Sequence, residues 1–495
     1  LLFNKNKTQA NKLAKLKKWP LVFKDKNNKI VAELVGVGQN NHPLYYAYNS
    51  NVISAITSST FDVWPGGNTG FNLNGSSAFL TNRLAIFDGG GVRTTHQEFV
   101  GRITQMDNPS GLSDHATHVM GTMMAKGVNP AAKGMSFGLA GGLAYDWNND
   151  IAEAALAANG NNGILLSNHS YGYLTGWSYN GSTWRFYGPS GFYLDPGFGY
   201  YDESAQDNDE IAYNAPYYLP VRAAGNNRSQ NGPDIGAPCQ LLNANGNFYT
   251  TTRPIGISSN DSYTTIGYTS NAKNIIAVGA INPIMNGYQQ PKDVQITDFS
   301  SWGPTRDGRL KPDLVSDGYQ VYSTYATTDQ SYSFSSGTSM ACPGVTGALL
   351  LLQELYGKLV PGKLLRNSTI KGIAIHTANE AGNYPGPDFI YGWGLLNTKA
   401  SCSLINEAIT KNNGITSSQL LFEKTIYDTS NSVDTISGSF ISSGSEPLKL
   451  TICWTDPIGQ LLQYTDYTND TSLELVNDLD IWLIDENGKK YFPWV

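Results

Sequence analysis

The chain has 495 residues and a formal net charge of −7, with 40% hydrophobic and 15% charged residues. This length supports a large hydrophobic core and two or three domains. No apolar run approaches the roughly 18 residues that a membrane-spanning helix needs, which excludes a membrane span. The four cysteines show neither CxxC nor metal-ligand spacing, and four cysteines in 495 residues are too few for a disulfide scaffold.

The first 29 residues differ in charge from the rest of the chain. They contain nine lysines and one acid, Asp25, so they carry +8 and the remaining residues carry −15. This composition predicts a solvated, partly helical arm, with the tail of a propeptide or a segment docked on the acidic body as the alternative. No basic groove interleaved with aromatic residues follows, which argues against nucleic acid as a partner. Residues 19–48 alternate short apolar runs with turns, so we expect a small strand module within an N-terminal unit of residues 1–60.

A short apolar strand, residues 84–87, then ends on a carboxylate, Asp88, and three glycines. Further apolar runs alternate with helical patterns such as residues 150–159. These runs are residues 164–168, 218–224 and 274–279. Apolar strands separated by helices predict an α/β fold, with a parallel sheet covered by helices on both faces.

A serine that acts as a nucleophile, such as the candidate in the next paragraph, needs a base to take its proton. The chain offers six histidines for this role. His115 and His118 lie one helical turn apart in residues 113–122, a segment of small residues that can pack closely against a buried helix. This segment supplies the candidate base: the family resemblance described below points to His115, and the second histidine, His118, is interpreted as packed and structural. The carboxylate of Asp88 is the candidate acid that would select the tautomer of the base and stabilise its charged form.

Residues 219–226 predict a strand that ends in Gly-Asn, where the side-chain amide of Asn226 can donate to an oxyanion. The candidate nucleophile, Ser339, lies where a Gly-Thr turn leads into a buried apolar helix. Pro343 is expected in the first turn of this helix, where its missing N–H costs nothing. Free N–H groups and the helix dipole favour a developing negative charge at Ser339. A simple helix-capping serine is the structural alternative.

Together these segments resemble the subtilisin-like serine proteases, or subtilases. The family's Asp-bearing strand end, His-Gly-Thr-His-Val, Ala-Ala-Gly-Asn and Gly-Thr-Ser-Met-Ala-x-Pro patterns have counterparts here, in the family's order of Asp, His and Ser. The resemblance implies that Asp88 orients the base, that His115 is the general base and acid, and that Ser339 attacks the scissile carbonyl. It also implies that Asn226 and the backbone N–H of Ser339 donate to the oxyanion.

The same resemblance implies two walls of a cleft that binds an extended peptide. The first is Ser170-Tyr171-Gly172, whose backbone would pair with the substrate as an added strand. The second is Ala223-Ala224-Gly225, opposite it in the pocket for the residue before the scissile bond. The small side chains suggest a roomy, rather apolar pocket that Tyr171 could narrow, so no preferred substrate side chain is named. The Tyr-, Gly- and Pro-rich residues 177–205 are expected to line the rim of the cleft or to pack against a second domain.

The catalytic domain is expected to span residues 61–410, and the composition then shifts to alternating polar and apolar residues. Residues 448–454 and 479–484 predict strands of a C-terminal β-sandwich or jelly-roll domain over residues 411–495. This domain resembles that of certain secreted bacterial subtilases, and we expect it to continue beyond Val495. Asp456, Asp478 and Asp480 are candidate Ca²⁺ ligands, with capping of turn amides as the alternative. The chemistry itself is expected to need no cofactor.

The expected function is that of a serine endopeptidase that hydrolyses proteins or peptides through an acyl-enzyme. A catalytically silent surface binding or adhesion protein on the same scaffold is the alternative from another class. A metallohydrolase using both histidines lacks HExxH and leaves the serine and asparagine motifs unexplained. The Lys-rich residues 1–18 have no apolar signal core, so a secretory signal is not expected within this sequence. By resemblance we expect an extracellular or cell-surface location. Side-chain preference and oligomeric state stay open.

Overall fold

The computed structural model describes residues 2–18, 21–24, 30–37, 43–47, 50–160, 162–260, 264–410, 421–425, 435–439, 448–461 and 471–493. The strands, in chain order, are β1 (Val22–Lys24), β2 (Ile30–Val37), β3 (Pro43–Ala47), β4 (Leu84–Asp88), β5 (Ile103–Gln105), β6 (Gly142–Asp146), β7 (Leu166–His169), β8 (Trp177–Tyr179), β9 (Trp184–Phe186), β10 (Leu219–Ala223), β11 (Pro238–Leu242), β12 (Phe248–Thr252), β13 (Ile276–Ile281), β14 (Leu314–Asp317), β15 (Val321–Thr324), β16 (Tyr332–Ser335), β17 (Leu483–Ile484) and β18 (Lys490–Tyr491). The α-helices are α1 (Leu2–Lys17), α2 (Asn51–Thr57), α3 (Asp114–Met124), α4 (Asp150–Ala158), α5 (Glu203–Asn214), α6 (Thr338–Leu359), α7 (Asn367–His376) and α8 (Thr398–Thr410).

A seven-stranded parallel sheet in the order β14-β13-β10-β7-β4-β6-β5 forms the centre of the protein. The predicted strands ending at Asp88 and near residues 168, 224 and 279 are confirmed as β4, β7, β10 and β13. In the register of the sheet, His169 pairs with Phe87 on one side and with Arg222 on the other. The carboxyl ends of β4, β7 and β10 therefore lie side by side at one edge, which is where α/β proteins place their ligands.

Alternating side chains of the strands face helices on opposite sides of the sheet. Leu84 and Ile86 of β4 pack in the large core with α3 and α6. Ala85 and Phe87 pack in a second cluster with α4. The predicted α/β sheet with helices on both faces is thus confirmed, because both faces of these strands are buried against helices.

The N-terminal unit contains α1 and an antiparallel sheet in the order β1-β2-β3. Ala10 and Ala14 of α1 are buried against Leu34 of β2, so one face of the predicted solvated arm is packed. The short helix α2 precedes the predicted boundary at residue 61, and Asn51 Nδ2 donates to the Thr122 carbonyl at 3.1 Å. The division of the chain into three domains stays a prediction.

The stretch expected at the rim of the cleft contributes to a second sheet, in the order β12-β11-β9-β8. Its strands come from residues 177–186 and 238–252, and the sequence analysis did not predict the later pair. Trp177 is fully buried there and packs with Phe186, Cys239 and Ile257. This small core explains how an insertion rich in glycine and tyrosine holds a defined shape.

The described part of the C-terminal region contains one antiparallel ladder, β17 with β18. Residues 448–454, predicted as a strand, are not in a strand. The predicted β-sandwich falls partly outside the described residues and stays a prediction. Over the described ranges, none of the helices combines the length and apolar character required to cross a membrane.

Candidate active site

The carboxylate that ends β4 and the first histidine of α3 form a hydrogen-bonded pair. His115 Nδ1 lies 2.8 Å from Asp88 Oδ1 and 3.0 Å from Asp88 Oδ2. The start of α3 is held by Ser113, whose hydroxyl accepts from the Ala116 N–H at 3.1 Å. An ionised carboxylate can only accept, so Nδ1 carries the proton and Nε2 has the free lone pair of a base.

The two histidines of α3 have opposite electrostatic environments. Burial lowers the pKa of His115, but the charge and hydrogen bond of Asp88 together outweigh burial, and the pKa is raised above its ordinary 6.5. His118 is fully buried with its Nε2 2.9 Å from the Val321 carbonyl, and burial lowers its pKa to about 4. His118 is therefore a neutral packed histidine, as predicted, and His115, whose side chain is 41% exposed, is the accessible one.

The candidate nucleophile lies near the start of α6, in a helix where every residue from Thr338 to Leu355 is buried. Ser339 is 9% exposed, and its hydroxyl donates to the Ser170 carbonyl at 3.1 Å. Among the described contacts, no hydrogen bond joins the Ser339 hydroxyl to the His115 ring. Catalytic hydrogen bonds in an unliganded site are often long and tighten only when substrate binds. A direct hydrogen bond between Ser339 and His115 is therefore not required in this state.

Pro343 is the sixth residue of α6, so the prediction that it lies in the first turn is wrong. A proline at this position cannot donate to the carbonyl four residues earlier, which belongs to Ser339. The Ser170 hydroxyl donates to that carbonyl instead, at 2.9 Å. Asn168 Nδ2 in turn donates to the Ser170 hydroxyl at 2.9 Å. The Ser170 side chain therefore supplies the hydrogen bond that the proline removes. Asn168 holds the Ser170 hydroxyl in place, and the two residues tie the end of β7 to the backbone of Ser339.

The predicted oxyanion donor is oriented by its own carbonyl oxygen. Asn226 Oδ1 accepts from the N–H and the hydroxyl of Thr338 at 2.8 and 3.0 Å. Its exposed NH₂ group donates to no described residue. The N–H of Ser339, at the second position of α6, has no acceptor within the helix. A side chain at Gly337 would lie 3.3 Å from Asn226 Nδ2, so glycine gives the amide room. Two donors are thus available beside Ser339 for a developing oxyanion.

The predicted wall Ala223-Ala224-Gly225 continues β10 at the edge of the sheet. Ala223 and Ala224 are 7% and 1% exposed. The Ala223 carbonyl accepts from the Ser270 hydroxyl at 2.7 Å, and the Gly225 N–H donates to the Thr338 hydroxyl at 3.1 Å. This wall is therefore braced by a turn that precedes β13 and by the start of α6.

The opposite predicted wall, Ser170-Tyr171-Gly172, continues β7. Gly172 is exposed, and the nearest atom to a side chain placed there would be Thr269 Oγ1, at 3.8 Å. The Tyr171 side chain packs with the α4 cluster, and its hydroxyl lies 2.5 Å from Asp150 Oδ2 and 2.8 Å from His169 Nδ1. These contacts hold the Tyr171 ring in the α4 cluster, and a narrowing of the pocket by Tyr171 stays a prediction.

Asp456, a candidate calcium ligand, is occupied by protein donors. It is 1% exposed and accepts from Lys273 Nζ at 2.7 Å and from the backbone and side-chain nitrogens of Asn477 at 2.9 and 3.1 Å. Asp478 and Asp480 are exposed. Within the described ranges, no three His, Cys, Asp or Glu side chains are grouped so that they could hold a metal. Calcium binding stays a prediction.

Cys342, three residues after Ser339, does not compete as a nucleophile. It is a free cysteine with no exposed surface. Burial raises the pKa of its thiol to about 12, so the reactive thiolate is scarce at neutral pH.

A family model described as the subtilase family, Peptidase S8, matches residues 39–394. The chain belongs to the subtilase family. The match includes Asp88, His115, Asn226 and Ser339. Family membership supports a serine-protease function for this subtilase, and it does not by itself assign roles to these residues.

Curated relatives of this subtilase include two proteins of Dictyostelium discoideum. The serine protease/ABC transporter B family protein tagD is 27% identical over 406 residues, which cover 66% of this chain and 22% of tagD. Pyrolysin from Pyrococcus furiosus is 35% identical over 118 residues, covering 23% of this chain and 8% of pyrolysin. The second Dictyostelium protein, tagB, is 27% identical over 57% of this chain and 17% of its own length. The chain thus spans about a fifth of the length of the Dictyostelium proteins.

A solved structure of a serine-to-alanine mutant of the protease domain of PatA is also similar. It is 17% identical, covers 67% of this chain and 98% of its own, and has a TM-score of 0.44.

The sequence analysis missed the residues that brace the site of this subtilase. Thr269 and Ser270 lie in a 3-10 turn, Tyr268–Asn271, beside the two predicted walls. Asn168 and the hydroxyl of Ser170 hold the start of α6. The sequence feature that could have indicated these residues is a polar side chain at the end of an apolar strand. Such a side chain is buried and needs a hydrogen-bond partner, which is often far away in the sequence.

Proposed function

We propose that this subtilase is a serine endopeptidase that hydrolyses peptide bonds through an acyl-enzyme on Ser339, with Asp88 and His115 as acid and base. The observation that supports it most is the 2.8 Å contact between His115 Nδ1 and Asp88. It leaves Nε2 free at the edge of the sheet where the start of α6 presents a serine. The pairing of a buried carboxylate with a histidine whose side chain is 41% exposed favours a base over a packed structural histidine.

In the proposed reaction, His115 Nε2 removes the proton of Ser339 while Oγ attacks the scissile carbonyl. The carbonyl oxygen becomes negative and accepts from Asn226 Nδ2 and the Ser339 N–H. The charged His115 then protonates the leaving amine. A water molecule, deprotonated by the same ring, attacks the acyl carbon. As the bond from that carbon to Ser339 Oγ breaks, the ring returns the proton to Oγ and the acid product leaves. Asp88 stabilises the charged ring in both steps.

The substrate is proposed to bind as an extended peptide along the β7 and β10 ends. Residues 170–172 would pair with it as an added strand, and residues 223–225 would form the other side of the pocket. The small residues of that side leave the side-chain preference open. We also propose an extracellular or cell-surface location, which the family resemblance favours.

A fluorophosphonate probe and the Ser339→Ala variant test the proposal. The wild type should be labelled at Ser339 and should cleave a peptide library, and Ser339→Ala should lose both activities. Ser335→Ala, four residues upstream on β16, is the matched control and should keep both. Cleavage by folded Ser339→Ala would contradict the assignment. A folded wild type that is neither labelled nor active would favour the silent binding protein.

A further inference from the structure

Tyr171 is part of a continuous chain of buried and part-buried hydrogen bonds beside the candidate cleft. Its hydroxyl lies 2.5 Å from Asp150 Oδ2 and 2.8 Å from His169 Nδ1. His169 Nε2 lies 2.8 Å from the Ser167 hydroxyl, which lies 2.6 Å from the Tyr218 hydroxyl. The five side chains belong to β7, its continuation, the start of α4 and the residue before β10.

One set of proton positions satisfies every contact in this chain. Asp150 can only accept when ionised, so Tyr171 donates to it and accepts from the Nδ1–H of His169. His169 Nε2 then accepts from Ser167, and Ser167 accepts from Tyr218. Aligned hydrogen bonds polarise one another and hold their members rigidly when all are satisfied. The ring of His169 is neutral, because burial and the charge of Arg222 keep its pKa well below 6.5.

The neighbouring residue, Ser170, is bonded to the candidate nucleophile in both directions. The Ser170 hydroxyl donates to the Ser339 carbonyl at 2.9 Å, and the Ser339 hydroxyl donates to the Ser170 carbonyl at 3.1 Å. The segment is therefore held by α6 at Ser170 and by Asp150 at Tyr171. Gly172 follows and is exposed. A backbone segment fastened at two successive residues has little freedom to shift.

We propose that Tyr171 is a positioning residue: its hydroxyl, clamped between Asp150 and His169, sets the position of the backbone that receives the peptide substrate. This inference rests on the proposed function and adds to it a residue that controls substrate affinity. The hydroxyl is remote from the bonds that form and break. The backbone it holds contacts the peptide in the ground state and in the transition state alike, so loosening it weakens binding of both.

The Tyr171→Phe variant keeps the ring and removes the clamp. We expect KM for an extended peptide to rise about tenfold, the size expected when a hydrogen bond to a charged group is lost. We expect kcat and the rate of fluorophosphonate labelling, which needs no extended peptide, to fall by less than about threefold. Tyr213→Phe is the matched control, because Tyr213 lies on α5, is 48% exposed and bonds to no described residue through its hydroxyl. It should leave KM and kcat at wild-type values.

A double-mutant cycle with Asp150→Ala separates the clamp from general loss of packing. If the two groups act as one clamp, KM of the double variant should be close to that of either single variant. Three results would each overturn the proposal. The first is a KM of the double variant that equals the product of the two single effects. The others are a fall of kcat and labelling in Tyr171→Phe with KM unchanged, and no change in any of these quantities. If Tyr171→Phe does not fold, Asp150→Asn, at a partly exposed residue, carries the same prediction with a smaller increase in KM. A wild type that is never labelled would refute the proposed function instead, before the clamp is tested.

Discussion

Replacing Asp88 by asparagine tests the central contact of the candidate site. The change keeps the shape of a side chain that is 2% exposed and removes its charge. Two effects follow for His115. The charged ring that forms during the reaction loses its counter-charge, and Nδ1–H loses an acceptor that selects its tautomer, because an amide can turn its NH₂ toward the ring.

The size of the first effect follows from the geometry. Unit charges 2.8 Å apart attract by about 1.5 kcal/mol in bulk water and by about 6 kcal/mol at an effective dielectric constant of 20. The His115 side chain is 41% exposed, so solvent screens the pair and we take about 3 kcal/mol, or roughly 100-fold in kcat. Loss of the correct tautomer adds to this, and the total loss of kcat should approach the roughly 10⁴-fold that removal of the acid causes in other triads.

The assay is the pH profile of kcat/KM for a peptide substrate. His115 acts as a base only when neutral, so activity should rise with pH through a midpoint above 6.5 in the wild type. In Asp88→Asn the two influences that raise the pKa are lost and burial remains, so the midpoint should move to lower pH while the plateau falls. Asp114→Asn is the control, because Asp114 precedes His115 and is exposed; it should leave the profile in place. A plateau within tenfold of wild type, or a midpoint that moves to higher pH, would refute the reasoning.

Two further predictions concern the oxyanion and the C-terminal region. Asn226→Leu should lower kcat by about 10²–10³-fold with little change in KM, because the lost donor acts on charge that develops in the transition state; equal losses in kcat and 1/KM would contradict this role. Burial, with repulsion from Asp307, raises the pKa of Glu474 to about 7. A carboxyl whose folded pKa is raised contributes stability that is full below its unfolded pKa and is lost as pH rises through about 7. Urea unfolding from pH 4.5 to 7.5 should therefore show a decline in the wild type, about 3 kcal/mol at most, that Glu474→Gln lacks. Parallel curves for the two proteins would rule out this source of pH dependence.

The local segments of the site were predictable because each carries its own physical signal. An apolar run that ends in Asp88 predicts a buried strand with its carboxylate at the edge of the sheet, and β4 confirms it. His115 and His118 lie one turn apart on the same helix, so their spacing alone does not distinguish them, and the family resemblance assigned the role of base to His115. The start of a buried helix at Ser339 followed from small residues before a long apolar run, and α6 begins at Thr338.

Only the tertiary structure decided how these segments meet. Pro343 lies inside α6, and the serine that follows β7, 173 positions earlier in the chain, donates to the carbonyl that the proline leaves without a partner. Tyr171 packs with the α4 cluster because Asp150 and His169 bind its hydroxyl there, and no local pattern distinguishes that position from one in the pocket. The sequence by itself determined which elements form and what chemistry each can offer, because periodicity, capping and side-chain type are local properties. The partners of the polar side chains depend on the order of strands in the sheet, which is set by packing between residues far apart in the chain.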